Sequence, residues 1–241
     1  MHSTNLSRAL SPTEAARAIY VDFEGSRGDG PSLLGYSYDL DTTGSAVGRR
    51  VVQQVVLEEA LAPLAAETHL KVPGYGCRAE SVDAAIDTLA TLAIAQDRAI
   101  VSWDRRELDV VQRYCAPVVA DRFELQHREA RGTAAKWLGQ CRPETATAWE
   151  LERCGHRLPR YLDVIGYGVP GAYGPGKAGS RIRDLRTALE RRDGDTGRLT
   201  HGQHRTWTNL LWHNYHDVDG MRAVVQRAAR SYAIDLAKAG R

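Results

Sequence analysis

The spacing of apolar and polar positions changes partway along this chain, from a strand-like to a helix-like period. Residues 18–25 read Ala-Ile-Tyr-Val-Asp-Phe-Glu-Gly. A mostly apolar, partly β-branched run that ends at a glycine predicts a buried strand. Residues 33–40 and 49–57 repeat that character, with turns at 25–31 and 39–44. Three strands joined by short turns predict an antiparallel meander. Ahead of them, Ser11-Pro12-Thr13-Glu14 has the form of a helix start, with Ser as cap, Pro first and Glu third. Residues 1–10 are polar and read as loosely ordered.

After the meander the period becomes helical. Val82, Ala85, Ile86, Leu89, Leu92 and Ala93 form one stripe behind a Ser81 cap. Residues 99–103 predict a short buried strand, and Asp104 can cap a helix over 105–114. Residues 117–141 read as helical and 166–179 as a glycine-rich loop of functional length. A basic helix is expected over 181–192, and a last long helix over 206–237, interrupted near Gly220. The expected fold is α/β: a ribonuclease H-like mixed sheet, an antiparallel meander plus a parallel strand, flanked by helices, with a helical C-terminal half.

The length of 241 residues suits a single domain, 1–241, with a helical and loop insertion around 117–205. A net charge of +2 removes any general polycation signal. Only four of the 32 basic residues are Lys. Arginine grips phosphate bidentately, but an Arg-rich, Lys-poor chain also follows from a GC-rich genome, and that accounts for most of the arginines. No Cys pair is spaced C-x-x-C, the first 17 residues lack a signal-peptide core, and no run reaches the roughly 18 apolar residues of a membrane span. The expectation is a cytoplasmic protein with reduced thiols and no membrane partner; the oligomeric state stays open.

Chemistry enters with the acids. On a strand, Asp22 and Glu24 point to the same face. Such a pair repels itself unless a cation lies between, and hard oxygen ligands suit Mg2+ or Mn2+; otherwise it is an edge strand with solvated acids. Asp104, Glu107 and Asp109 follow the short strand, where simple helix capping is the competing reading. On the last helix, Leu210, His213, Asn214, Asp217, Met221 and Val224 share one face. Asp217 therefore lies within an apolar stripe, where a charge must be paired or bound to metal. His213 sits one turn before it.

Tyr20-Val21-Asp22-Phe23-Glu24-Gly25 resembles the first motif of the DEDD exonuclease superfamily, the ribonuclease H-like 3′–5′ exonucleases. Residues 100–107 are similar to the second motif in the form found in ribonuclease H-like nucleases associated with RecB. His213-Asn214-Tyr215-His216-Asp217-Val218 resembles the third motif, Y-N-x-x-D-V, with His in the Tyr position. The resemblance implies a nuclease that hydrolyses phosphodiester bonds of DNA or RNA with two Mg2+ or Mn2+ ions. Asp22 would bridge the ions, Glu24 and Asp217 would hold the first, and Glu107, or alternatively Asp109, would lie near the second. His213 is the candidate general base, with Tyr215 and His216 behind it. The altered second and third motifs leave an alternative: a non-catalytic nucleic-acid-binding module that keeps the fold.

Other signals are weaker. Gly171 to Lys177 matches G-x-x-x-x-G-K, but Ala178 stands where a P-loop needs Ser or Thr. The loop reads instead as a flap, with Lys177, Arg181 and Arg183 tracking the nucleic-acid backbone. Cys154-Gly155-His156 and His201-Gly-Gln-His204 have poor zinc spacing. Trp103, Trp207 and Trp212 read as core.

Overall fold

Helix α1 (Pro12–Arg17) begins as its residues dictate. Ser11 Oγ accepts the Glu14 N–H at 3.2 Å, and Glu14 Oε2 accepts the Ser11 N–H at 2.8 Å. The structure is a computed structural model that describes residues 9–25, 29–40, 49–150, 155–173 and 176–239. Most of the polar N-terminal stretch, the centres of the two expected turns and Cys154 fall outside the described residues.

Strands β1 (Ile19–Gly25), β2 (Pro31–Asp39) and β3 (Arg50–Val56) form the expected antiparallel meander. In its middle, Asp22 lies opposite Gly35, and Gly35 opposite Gln54. Helix α2 (Pro63–Ala66) then leads to an unanticipated strand, β4 (Tyr75–Ala79), parallel to β3 at the sheet edge. Its Tyr-Gly-Cys-Arg-Ala sequence has no clean alternation, so the free edge of β3 determines its conformation.

Helix α3 (Val82–Ala95) is capped by Ser81, whose Oγ accepts the Ala84 N–H at 3.3 Å. The chain then crosses back, and β5 (Ile100–Ser102) pairs parallel with the other side of β1. Helix α4 (Arg106–Tyr114) starts where the Asp104 carboxylate accepts the Arg106 N–H at 2.9 Å. The continuous helical segment expected over 117–141 is broken. It divides into α5 (Pro117–Gln126), strand β6 (His127–Glu129) and α6 (Ala130–Cys141). β6 is three polar residues, too short and hydrophilic to signal a strand, yet it pairs parallel with β5. Part of the expected insertion thus belongs to the sheet. Helices α7 (Pro143–Glu150), α8 (Leu158–Ile165), α9 (Ala178–Glu190) and α10 (His201–Ala239) complete the order.

Among the described residues the sheet has six strands in the order β4-β3-β2-β1-β5-β6. Only β2 runs against the others. The fold is α/β with a mixed sheet covered on both faces. Ile19 and Val21 pack with Ile86 and Leu89 of α3 and Phe123 of α5. Tyr20 faces the opposite way, into a cluster with Leu138 of α6 and Met221 and Val224 of α10. Leu33 and Val56 meet Ile182 and Leu185 of α9 and Leu210 of α10 in a third cluster. Period-two alternation then carries Asp22 and Glu24 to the α10 face.

The break expected near Gly220 does not occur; α10 runs unbroken through it. The glycine serves packing instead, since an added Cβ would sit 2.6 Å from Leu162 Cδ2 of α8. A glycine within a helix costs about 1 kcal/mol, which the close approach of α8 offsets. Among the described residues no helix is long and apolar enough to cross a membrane, and Cys77, Cys115 and Cys141 are free.

Gly35 is closer still to its neighbour: its Cβ would lie 1.9 Å from Asn214 Oδ1. Gly35→Ala is expected to destabilise the protein by about 1–3 kcal/mol, the usual cost of overpacking. Gly220→Ala should cost less, because the Leu162 side-chain tip can rotate away. Urea unfolding of the two variants checks the order.

Candidate metal centre

β1 is where the topology switches. The chain leaves it toward β2, β3 and β4 on one side, and returns to place β5 and β6 on the other. Open α/β sheets form a crevice at the carboxyl ends of the strands at such a point. Asp22 lies midway along β1 and Glu24 near its carboxyl end, Asp104 and Glu107 follow β5, and α10 crosses with His213, Asn214 and Asp217.

The distances are short. His213 Nε2 lies 3.3 Å from Glu24 Oε1 and 3.5 Å from Asp217 Oδ2. One ligand atom from each of Glu24, His213 and Asp217 falls within 4.8 Å of the others. Asn214 is fully buried and holds Asp22, with Nδ2 donating to Asp22 Oδ2 at 3.0 Å and to Asp22 O at 3.2 Å. Its Oδ1 accepts from Gln54 Nε2 at 2.9 Å, and Gln54 Oε1 accepts from the Tyr75 hydroxyl at 2.8 Å. Asn214 thus lies over Gly35 in the row Asp22–Gly35–Gln54.

Crowding these acids together out of water raises their pKa values. Burial pushes Asp22 well above the usual carboxylate range, and the charges of Glu24, Asp217 and Glu107 add to it, against the Asn214 hydrogen bond. Burial also raises Glu24 well above its ordinary value, helped by Asp217 and Glu107 and opposed by Arg181. Asp217 is raised by burial and drawn back by His213. Glu107 is pushed up to about 7 by burial and by Asp104, against hydrogen bonds from its own backbone and Ser102 and the charge of Arg106.

This donor set fits a divalent cation. Glu24, His213 and Asp217 offer two carboxylates and an imidazole within 4.8 Å of one another, Asp22 and Glu107 line the same cleft, and Glu107 Oε2 is buried with no hydrogen-bond partner. A cation would return the acids to their charged forms and fill that vacant valence.

Not every expected residue joins them. Asp109 turns outward, 60% exposed, and pairs with Arg105 at 3.3 Å, so Glu107 is the acid of that segment that reaches the centre. Arg181 is buried rather than lying along an open surface; its Nη2 donates to Ala172 O at 2.6 Å, and its charge faces Glu24. Lys177 and Arg183 are exposed. Two residues apart on a helix, Arg181 and Arg183 point about 160° apart, so the three cations do not form one track. His216 stacks with Trp212 and Tyr173, and Tyr215 lies against Arg50, which leaves His213 as the side chain of the three between the acids.

A cleft of about 1260 Å3 opens from Asp22, Glu107, His213 and Asp217. Its arginines are Arg106, Arg131 and Arg157, all exposed, interspersed with Glu129 and Asp163. Trp103, Trp149, Tyr167 and Tyr173 supply aromatic wall, so Trp103 is both core and cleft lining. Tyr173, in a short 3-10 turn of the glycine-rich loop, stacks on Trp212 and His216 and ties that loop to α10. Sequence reasoning missed the clamp role of Asn214 and the internal role of Arg181. The available signal was an amide in the apolar stripe of α10, which at zero exposure must have partners.

Raised carboxyl pKa values have a definite sign. The folded state holds protons that the unfolded state releases, so the stability they contribute is present at low pH and lost as pH climbs. For Glu107 that loss runs from its ordinary 4.5 through about 7. The metal-free protein is expected to melt at progressively lower temperature across this interval. Glu107→Gln should flatten part of the slope, and saturating Mn2+ should raise the melting temperature most at the alkaline end. Calorimetry against pH, with and without Mn2+, is the check. Arg181→Ala should in turn release the Ala172 carbonyl and raise proteolytic sensitivity around Ala172, which limited proteolysis reads directly. Neither a family model nor a curated protein nor a solved structure matches this chain.

Proposed function

We propose that this protein is a metal-dependent nuclease that hydrolyses phosphodiester bonds of DNA or RNA on a ribonuclease H-like sheet. The observation that carries the reading is that Glu24, His213 and Asp217 meet within 4.8 Å, with Asp22 and Glu107 lining the same cleft although Asp22 and Asp217 lie 195 residues apart in sequence. The strand order supports it as well: an antiparallel meander, then a crossover to parallel strands beside β1. The 3′–5′ direction comes from the resemblance to the DEDD exonucleases.

Each side chain has work in this reading. Asn214 occupies one Asp22 oxygen and so orients the other toward the centre. Glu24 and Asp217 would hold the first ion, and Glu107, whose Oε2 has no partner, would lie near a second, with Asp22 between them. Bound Mg2+ or Mn2+ would polarise the phosphoryl oxygen, acidify a water and stabilise the leaving oxygen. Arg106, Arg131 and Arg157 can take phosphates along the cleft, in place of Lys177, Arg181 and Arg183. Trp149 and Tyr173 offer faces for unpaired bases.

Labelled single- and double-stranded DNA and RNA, incubated with Mn2+, test the reading. Asp22→Asn and Asp217→Asn are expected to lower cleavage by several orders of magnitude, the scale of metal-ion catalysis. Equal cleavage by wild type and both variants would remove the centre from the chemistry. Binding without turnover in Mg2+ or Mn2+ would make the chain a non-catalytic nucleic-acid-binding module.

A further inference from the structure

His213 has a more specific place than a group beside the water. We propose that His213 Nε2 is itself a ligand of the metal, which makes the first ion's site a mixed nitrogen–oxygen set that favours Mn2+ over Mg2+. The inference rests on the metal-centre reading above and goes beyond it in naming the ligand and the metal.

The geometry is the first reason. Divalent ions bind nitrogen and oxygen at about 2.0–2.2 Å, so adjacent ligand atoms around one ion sit about 3.0–3.5 Å apart. His213 Nε2 stands 3.3 Å from the Glu24 oxygen and 3.5 Å from the Asp217 oxygen. A cation within reach of the two carboxylates is therefore within reach of the nitrogen. The ring is held there: its side chain is 9% exposed, the next residue is the Asn214 clamp, and Asp217 lies one turn on.

Chemistry is the second. A general base must keep its lone pair for a proton, whereas a ligand gives the same pair to the metal. Nε2 is the ring atom that meets both carboxylate oxygens, where it could give that pair to a shared cation. Imidazole suits first-row ions from Fe2+ to Zn2+ best, with Mn2+ at the weak end of that transition-metal order, while Mg2+ prefers oxygen ligands and gives up its waters reluctantly. Glu24 and Asp217 alone would form a site equally suited to Mg2+; adding His213 tilts it toward Mn2+.

Pulsed electron paramagnetic resonance of the full chain loaded with Mn2+ tests this without reference to activity. Directly bound imidazole gives a nitrogen coupling to the Mn2+ spin. The coupling is expected in wild type, altered when histidine is labelled with 15N, and absent in His213→Gln and in Asp217→Asn. The Asp217→Asn control distinguishes this centre from the exposed His201 and the half-buried His204. Competition titration should show wild type preferring Mn2+ to Mg2+. In His213→Gln, Mn2+ binding should weaken by at least the 10–100-fold, approximately, that losing an outer partner of a ligand causes, and the Mn2+/Mg2+ ratio should narrow. If Mn2+ binds in a manner abolished by Asp22→Ala but shows no nitrogen coupling, His213 is not a ligand and the metal centre stands without it. If wild type binds no Mn2+, the metal-centre reading falls and this inference falls with it. Should His213→Gln fail to fold, the labelled wild-type spectrum together with its loss in Asp217→Asn decides.

Discussion

The seat of Asn214 over Gly35 sets the position of almost everything else. The amide spends both donor hydrogens on Asp22 and takes one from Gln54, at zero exposure. Leaving a buried amide unpaired costs about 1–3 kcal/mol per group. A turn of α10 by one residue would break all three bonds and bring a Cβ-bearing neighbour over the strand. The clamp therefore fixes the rotation of α10 to the sheet, and that rotation places His213 and Asp217 opposite Glu24. Gly35 makes it possible by having no side chain.

The energetics of the centre run against the fold that holds it. Buried carboxylates repel one another, and His213, Arg181, Arg106 and hydrogen bonds draw them back. The sheet faces around them are conventionally packed: Ile19 and Val21 on one side, Tyr20 on the other, with helices over both. Apolar burial over those surfaces, at about 25 cal/mol per Å2, is what tolerates the local repulsion. Electrostatic tension confined to a cleft at a topological switch point is the pattern of a functional site rather than of a structural ion pair.

Much of this was legible because local chemistry and tertiary context agree. The Ser11 and Ser81 caps, the alternation of β1 and the stripe of α3 all formed as their residues dictate. Asp217 stood out because a charge in an apolar stripe requires a partner. Elsewhere a neighbour decided. β4 and β6 are strands because β3 and β5 offer backbone to pair with, not because Gly76 or Arg128 favours extension. Gly220 looked like a helix break and is a contact point for Leu162. Arg181 looked like a surface cation because charge is visible in sequence and burial is not. Asp109 and Glu107 are two residues apart on one helix, so their spacing alone could not say which faced inward.

The two halves of the centre are separated by nearly the whole chain, and synthesis proceeds from one to the other. A growing polypeptide that has emerged through α9 already displays Asp22, Glu24 and Glu107, but has neither the Asn214 clamp nor the Asp217 carboxylate. It offers a loose acidic patch in place of an organised cage. Assembly waits until residue 217 is free to fold back onto β1. Whatever chemistry the centre performs is thereby withheld until that helix has emerged, and from any fragment cut short ahead of it.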